Sequence, residues 1–270
     1  MGEYKLIDAT SPGYIQVETQ KWHDHQLHSF TDQVIEEVPI ALVYNGITQA
    51  VMMATPCDLE DFALGFSLSE SIIDTVEQVY EINITKHDSG FAAELKISSE
   101  KFLALKSYRR NMTGNTGCGL CGVDSLAGAL RTARQLQKTA LPASSAIQQA
   151  INSLTSWQLL QQHTGACHAA VWCNMQGEKQ LLREDVGRHN ALDKLIGAVH
   201  RSRLSAKDGF VLISSRASYE MIHKTSFLDC ANLVAVSAPT SLAITQAKQI
   251  NLNLIGFARN GKNNVYHCGL

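Results

Sequence analysis

The chain has 270 residues, a formal net charge of −2, 45% hydrophobic and 18% charged residues, the balance of an ordinary globular protein long enough for one large domain or two modest ones. Near-neutral charge argues against a generic nucleic-acid or membrane-surface binder, and no window offers the roughly 20 apolar residues of a membrane span. Seven irregularly spaced cysteines, with no basic-then-apolar leader, fit a reducing cytoplasm better than a disulfide framework.

Residues 1–30 are polar and rich in His and Gln, which suggests an edge strand with a loose tail. Residues 39–44 and 47–54 flank Asn45-Gly46 and read as a hairpin with a strong turn signal. Asp58 precedes a helix predicted over 59–73, whose Phe62, Leu64, Phe66, Leu68 and Ile72 cover much of its surface, so it is expected to be well buried. Strands over 79–85 and 91–97 and a helix over 100–110 complete an N-terminal α+β portion.

Next comes the tract Arg109-Arg110-Asn-Met-Thr-Gly-Asn-Thr-Gly-Cys118-Gly-Leu-Cys121-Gly122. Gly114, Gly117, Gly119 and Gly122 suit a mobile segment, since they lose much entropy when ordered. The cations upstream, and a following helix over 125–136 with Asp124 as N-cap, favour thiolate over thiol. Three other readings of the Cys-x-x-Cys pair stay open: half of a structural zinc site, a thioredoxin-like redox pair, or inert buried thiols. Zinc would need two further ligands, and the candidates His163, Cys167, His168, His267 and Cys268 are scattered. A redox pair would be expected to follow a strand directly.

A connector is expected over 139–145, around Pro142, then a helix over 147–160 ended by Gly165. Cys167 and His168 then enter a strand, although His168 could also move protons or line a pocket. Strands follow over 169–174 and 179–184, a helix over 191–201, a strand over 210–214 and a helix over 219–228. A strand over 233–237, a helix over 242–250 and a strand over 252–258 complete the chain. The last three strands are short apolar runs joined by helices, the pattern of parallel strands between helix layers. Cys57, Cys173 and Cys230 lie in or beside apolar segments and are expected to be inert.

In such a sheet, ligands gather at the carboxyl ends of strands. Four polar clusters fall there: Glu184-Asp185-Val-Gly187-Arg188-His189-Asn190, Ser214-Ser215-Arg216-Ala-Ser218, Ser237-Ala-Pro239-Thr240-Ser241 and Phe257-Ala-Arg259-Asn260-Gly261-Lys262. Singly, each is explained as well by helix caps and turns, such as Thr240, Ser241 and Asn260-Gly261. The recurrence of Arg188, Arg216, Arg259 and Lys262 points instead to an anionic, nucleotide-bearing ligand. No Walker or Rossmann glycine motif is present. Deaminase chemistry is disfavoured too: His168 is followed by Ala169-Ala170 rather than x-Glu, and Gly117 stands where a proline would precede Cys118.

Taken together, Thr116-Gly-Cys118-Gly-Leu-Cys121-Gly, His168-Ala-Ala, Glu184-Asp-Val-Gly-Arg-His189, Ser214-Ser-Arg-Ala-Ser-Tyr-Glu220 and Ser237-Ala-Pro-Thr-Ser-Leu242 resemble the FdhD family of formate dehydrogenase accessory sulfurtransferases. The resemblance implies an α/β, cytidine deaminase-like three-layer core with a mixed sheet. The division expected is an N-terminal α+β portion over 1–112 and an α/β domain over 113–270, the latter including the mobile loop 113–123. It also implies a homodimer that takes persulfide sulfur from a cysteine desulfurase and passes it to the bis-molybdopterin guanine dinucleotide cofactor of formate dehydrogenase, in the cytoplasm that the cysteine usage already suggests. Cys118 would carry the sulfur, with Cys121 assisting. The guanine nucleotide, mimicked by GDP, would lie across Phe257, Ala258, Arg259, Asn260, Gly261 and Lys262, with Ser215, Arg216, Ser218 and His189 completing the pocket; no resident metal is implied. The competing readings are a cofactor-binding carrier without sulfur transfer and a small zinc-containing scaffold.

Overall fold

The computed structural model describes residues 11–114 and 133–269. β1 (Tyr14–His23) and β2 (Gln26–Ile35) pair along their whole length as an antiparallel ribbon. This replaces the expected edge strand by a hairpin over the described part of 1–30, while residues 1–10, where a loose tail was expected, lie outside the described residues. The turn residues Asp24 and His25 both take positive φ, 48° and 63°, the geometry of a tight hairpin turn without the usual glycine. The base of the ribbon rests on a later helix, α4 (Leu159–Thr164), where Tyr14 stacks on His163 with ring centroids 5.0 Å apart and His163 Nδ1 lies 2.8 Å from Gln33 Oε1.

β3 (Val38–Tyr44), β4 (Ile47–Ala54), β5 (Val79–His87) and β6 (Gly90–Ile97) form a sheet in the order β4-β3-β6-β5. Asn45-Gly46 makes the expected hairpin, and β3 runs parallel to β6. Alternation sends Ile40, Leu42 and Tyr44 inward with no exposed surface, into one apolar cluster with Phe62 and Phe66 of α1 (Leu59–Ser69). α1 stops before the predicted residue 73, because Ser71 adopts φ 57° and the amides of Ile72 and Ile73 turn back onto the Ser67 carbonyl at 2.9 and 3.2 Å. α2 (Ser99–Gly114) follows β6.

The second sheet is built from β7 (His168–Asn174), β8 (Lys179–Asp185), β9 (Gly209–Ile213), β10 (Asn232–Ala235), β11 (Asn253–Arg259) and β12 (Lys262–His267), in the order β12-β11-β10-β9-β7-β8. β9, β10 and β11 are parallel as predicted, whereas β7, β8 and β12 join antiparallel to their neighbours and make the sheet mixed. β12 was not anticipated: its Asn263 and Asn264 break the apolar pattern, and the Asn260-Gly261 turn before it was the only signal.

Period-two alternation sorts each strand between two faces. Ala169, Val171, Cys173, Phe210, Leu212, Val234 and Ile255 cluster with Ile147, Ala150 and Leu154 of α3 (Ser144–Trp157). Ala170, Trp172, Val211, Ile213, Leu233, Ala235 and Leu254 cluster instead with apolar residues of α5 (Arg188–Arg201), α6 (Tyr219–Thr225) and α7 (Ser241–Gln249). The result is the helix–sheet–helix three-layer α/β core that was expected, and its second cluster also contains the core residues of the first sheet.

Three further helix predictions need correction. The helix expected over 147–160 breaks at Gln158 into α3 and α4, because the Glu184 carboxylate accepts the amides of Leu160 (2.9 Å) and Gln161 (3.0 Å) and so gives α4 its own start. Of the helix expected over 125–136, residues 133–136 are not helical: Arg134 N donates to Ser226 Oγ (3.0 Å) and Leu136 N to the Ile250 carbonyl (3.0 Å), while the remainder lies outside the described residues. The helix expected over 219–228 tightens to a 3-10 turn at Ser226–Leu228. Among the described residues, no helix is long and apolar enough to cross a membrane.

α1 and α5 cross where two glycines face the opposite backbone. A Cβ on Gly65 would stand 1.7 Å from the Asp193 carbonyl oxygen, and one on Gly197 would stand 1.9 Å from that of Asp61. Alanine at residue 197 would gain about 1 kcal/mol of helix propensity, but the atom it meets is backbone and cannot rotate away. Gly197→Ala is therefore expected to destabilise the fold by about 1–3 kcal/mol or more, seen as a drop of several degrees in Tm; an unchanged or raised Tm would refute the close crossing.

Candidate functional site

β8, β9, β10 and β11 bring their carboxyl ends to one edge of the second sheet, and β7 starts there with His168. The loops beyond the strands are knitted together. Ser214 Oγ accepts from Ala169 N (2.9 Å), and Ser214 N donates to the Ala169 carbonyl (3.1 Å). Ala217 N donates to the Ala238 carbonyl (3.2 Å), Thr240 N to that of Ala217 (3.0 Å), and Phe257 N to that of Ser237 (3.1 Å). The loops over 214–218, 237–240 and 257–262 thus form a continuous rim. α5, α6 and α7 all begin at this rim, and helix starts favour anions. Thr240 Oγ1 caps α7 by accepting from Ala243 N (3.2 Å), whereas the start of α5 is Gly187, with no side chain to cap it.

The predicted site residues fall on this rim in two groups. Ser215 is buried and its hydroxyl donates to the Arg216 carbonyl (3.0 Å), while the Arg216 side chain is exposed. Ser218 donates to Glu220 Oε2 (2.8 Å), and the same carboxylate oxygen lies 3.7 Å from His189 Nε2, beyond hydrogen-bond reach. Ser218 and His189 therefore meet around Glu220. Burial, and secondly the charge of Arg188, push the pKa values of both His168 and His189 below the ordinary histidine value, which favours the neutral rings. Arg188 Nε and His189 Nε2 are buried without a hydrogen-bond partner, a costly arrangement for polar atoms.

The second group is Phe257–Lys262. Asn260 (φ 52°) and Gly261 (φ 74°) are the two central residues of the turn joining β11 to β12, and Arg259 pairs with Lys262 across it. The turn is fastened to α3, with Gly261 N donating to Gln148 Oε1 (3.2 Å) and Gln148 Nε2 to the Lys262 carbonyl (3.4 Å). What requires glycine here is its φ, since nothing lies within 4 Å of the position a Cβ would take. Ala258 is buried and Phe257 half-buried, also at positive φ (52°), and the Arg259 guanidinium lies 5.6 Å from the Phe257 ring centroid. The hairpin accounts for Asn260 and Gly261 but not for the two exposed cations, Arg259 and Lys262, beside them.

Glu184 and Asp185, read from the sequence as strand-end polar residues, both turn inward. Glu184 starts α4 and accepts a hydrogen bond from Cys167 Sγ (3.2 Å). Asp185 pairs with Lys194 Nζ at 2.7 Å, both side chains fully buried. The sequence signal for this pair was present and missed: Lys194 lies among Ala191, Leu192, Leu195 and Ile196 on an apolar helix, where a lysine needs a buried partner.

Cys118, Cys121 and the loop 113–123 around them fall outside the described residues beyond Gly114. Cys57 is half-buried and Cys167, Cys173 and Cys230 are buried. Burial pushes the Cys57 and Cys230 thiols up to about 11 and that of Cys173 to about 12. Cys167 is raised by burial first and then by the Glu184 carboxylate. Among the described residues, no three His, Cys, Asp or Glu side chains are grouped so as to hold a metal ion.

The sequence model of the FdhD/NarQ family matches residues 35–269. Among relatives, the sulfur carrier protein FdhD of Cupriavidus necator is 50% identical over 259 residues, covering 96% of this chain and 90% of that protein. That of Acinetobacter baylyi is 44% identical over 267 residues, covering 96% and 95%. The crystal structure of a candidate formate dehydrogenase accessory protein from Desulfotalea psychrophila superposes with a TM-score of 0.73 at 23% identity, covering 95% of this chain and 98% of that one, and so shares the fold. With a family match running from the end of β2 to the last described residue, the chain belongs to the FdhD/NarQ family.

Proposed function

We propose that this protein is a sulfur carrier in formate dehydrogenase maturation, accepting persulfide sulfur from a cysteine desulfurase on Cys118 and passing it to the bis-molybdopterin guanine dinucleotide cofactor of the catalytic subunit. The observation that carries the reading is 50% identity, over 96% of the chain, to a protein named as a sulfur carrier. In the reaction, the Cys118 thiolate attacks the terminal sulfur of the donor's persulfide. The donor S–S bond breaks, its cysteine leaves as thiolate, and Cys118 holds the new persulfide. Passing the terminal sulfur to an acceptor that supplies the bonding electron pair returns Cys118 as thiolate. Cys121 assists or resolves this intermediate. The protein works as a cytoplasmic homodimer and uses no resident metal.

Thiol environment supports this assignment. Cys57, Cys173 and Cys230 have raised pKa values of about 11 to 12, so less than about one in a thousand is thiolate near neutral pH. The rim supports the cofactor reading. It offers the exposed Arg216, Arg259 and Lys262, the uncapped start of α5, and Arg188 Nε, which has no hydrogen-bond partner, a donor set suited to the diphosphate of a nucleotide.

Incubation with a cysteine desulfurase and sulfur-labelled cysteine should load Cys118, with loading lost in Cys118→Ala and at least partly kept in Cys121→Ala; undiminished loading of Cys118→Ala would sink the site. Native alkylation mapped by mass spectrometry should leave Cys57, Cys173 and Cys230 unmodified while Cys118 reacts, and rapid modification of those three would contradict their burial. Calorimetric titration with GDP should show Arg259→Ala with Lys262→Ala binding roughly ten- to a hundredfold more weakly, the scale of a lost charge-assisted hydrogen bond. Wild-type affinity in that double variant would reduce the β11–β12 segment to a turn.

A further inference from the structure

The loop that presents Arg188 and His189 is held from behind by a network that the sulfur-carrier reading does not use. Every acceptor position of Asp185 is taken. Its Oδ1 receives Gly187 N (2.8 Å) and Asn190 Nδ2 (3.0 Å), and its Oδ2 receives Thr55 N (3.0 Å) and Lys194 Nζ (2.7 Å). The Lys194 ammonium also donates to the carbonyls of Thr55 (2.9 Å) and Glu184 (3.3 Å), which uses its three protons. Thr55 Oγ1 accepts from Val186 N (3.2 Å), and Asn190 Nδ2 donates to the Met53 carbonyl (2.8 Å).

Gly187 and Asn190 are thus pinned on either side of Arg188 and His189, whose buried Nε and Nε2 have no hydrogen-bond partner, although His189 Nε2 lies 3.7 Å from the Glu220 carboxylate. A buried ion pair is a weak source of stability, since well-packed apolar residues of similar volume often do as well. Its consequence here is geometric. With both side chains at 0% exposure, the pair fixes the turn between β8 and α5 to the chain just after β4. We infer that Asp185, Lys194 and Thr55 are positioning residues that hold Arg188 and His189 where they meet the phosphate groups of the nucleotide, so that the first sheet sets ligand recognition on the second. This rests on the nucleotide reading of the rim given above.

The test compares GDP with guanosine, which lacks the phosphates. In Asp185→Ala with Lys194→Met, both charges are removed together and none is left buried and unpaired. GDP binding should weaken by about tenfold or more while guanosine binding stays close to that of the wild type, so the preference for GDP collapses. Amide exchange at Gly187, Arg188 and His189 should accelerate. General loosening would weaken both ligands together. A folded double variant that keeps the wild-type preference for GDP over guanosine overturns the proposal.

If that variant fails to fold, Thr55→Val and Thr55→Ser decide. Valine keeps the shape but loses the acceptor for Val186 N, and should lower the GDP preference; serine should restore it. An unchanged preference in Thr55→Val overturns the positioning role. Wild-type protein that binds no GDP defeats the nucleotide reading itself. In that case amide exchange judges the network alone, and unchanged protection over 187–189 in the double variant overturns it.

Discussion

The crossing of α1 over α5 is the constraint on which the rest of the architecture depends. Two helices can bring backbone against backbone only where both lack side chains, and Gly65 and Gly197 supply that gap from opposite halves of the chain. Asp61 and Asp193 are buried beside this crossing, so their carboxylates must find partners in the protein. Asp61 accepts from Arg183 Nη2 at 2.6 Å and from Arg201 Nη1 at 2.7 Å. Asp193, whose pKa is raised by burial, is met by Lys224 Nζ at 2.8 Å and by Ser69 Oγ at 2.7 Å. These contacts fasten α1 to β8, α5 and α6, so the first sheet stands in a fixed relation to the loops that carry Arg188 and His189.

Charge is sorted at the rim by direction. Glu184 and Asp185 turn into the protein and spend their oxygens on backbone amides, the Cys167 thiol, Asn190 and Lys194. Arg216, Arg259 and Lys262 stay exposed. A chain with a net charge of only −2 can present a cationic edge because some of its carboxylates are consumed internally. Glu220 is the exception, an exposed acid beside His189 whose oxygen is already engaged by Ser218.

Much of this was legible in the sequence, and what was missed shares a cause. The Asn45-Gly46 hairpin, the three parallel strands and their helices announce themselves through local turn chemistry and short apolar runs, which do not depend on distant partners. The β1–β2 ribbon does not: its residues are mostly exposed on both faces, so no burial pattern marks it. The break at Gln158 depends on a carboxylate 26 positions further along the chain, and the inward turn of Asp185 depends on Thr55, 130 positions away. At the site, the sequence named the rim loops but treated all their polar residues alike. Separating those that support from those that face outward required knowing what lies behind them.

The same environment that makes the core stable makes its thiols unreactive. A thiolate needs a cation, a helix start or water to hold its charge, and the sheet interior offers Cys173 and Cys230 none of these in strength. Cys167 is held further from ionising by the carboxylate it donates to, because losing the proton would set two anions 3.2 Å apart. Cys57 has Lys194 nearby, but that charge is committed to Asp185 and two carbonyls, and burial prevails. A protein that carries sulfur on one cysteine while holding seven must keep most of the others protonated. On the proposed reading, burial achieves this for Cys57, Cys167, Cys173 and Cys230, while the carrier thiol is assigned to a glycine-rich tract whose sequence carries Arg109 and Arg110 just upstream.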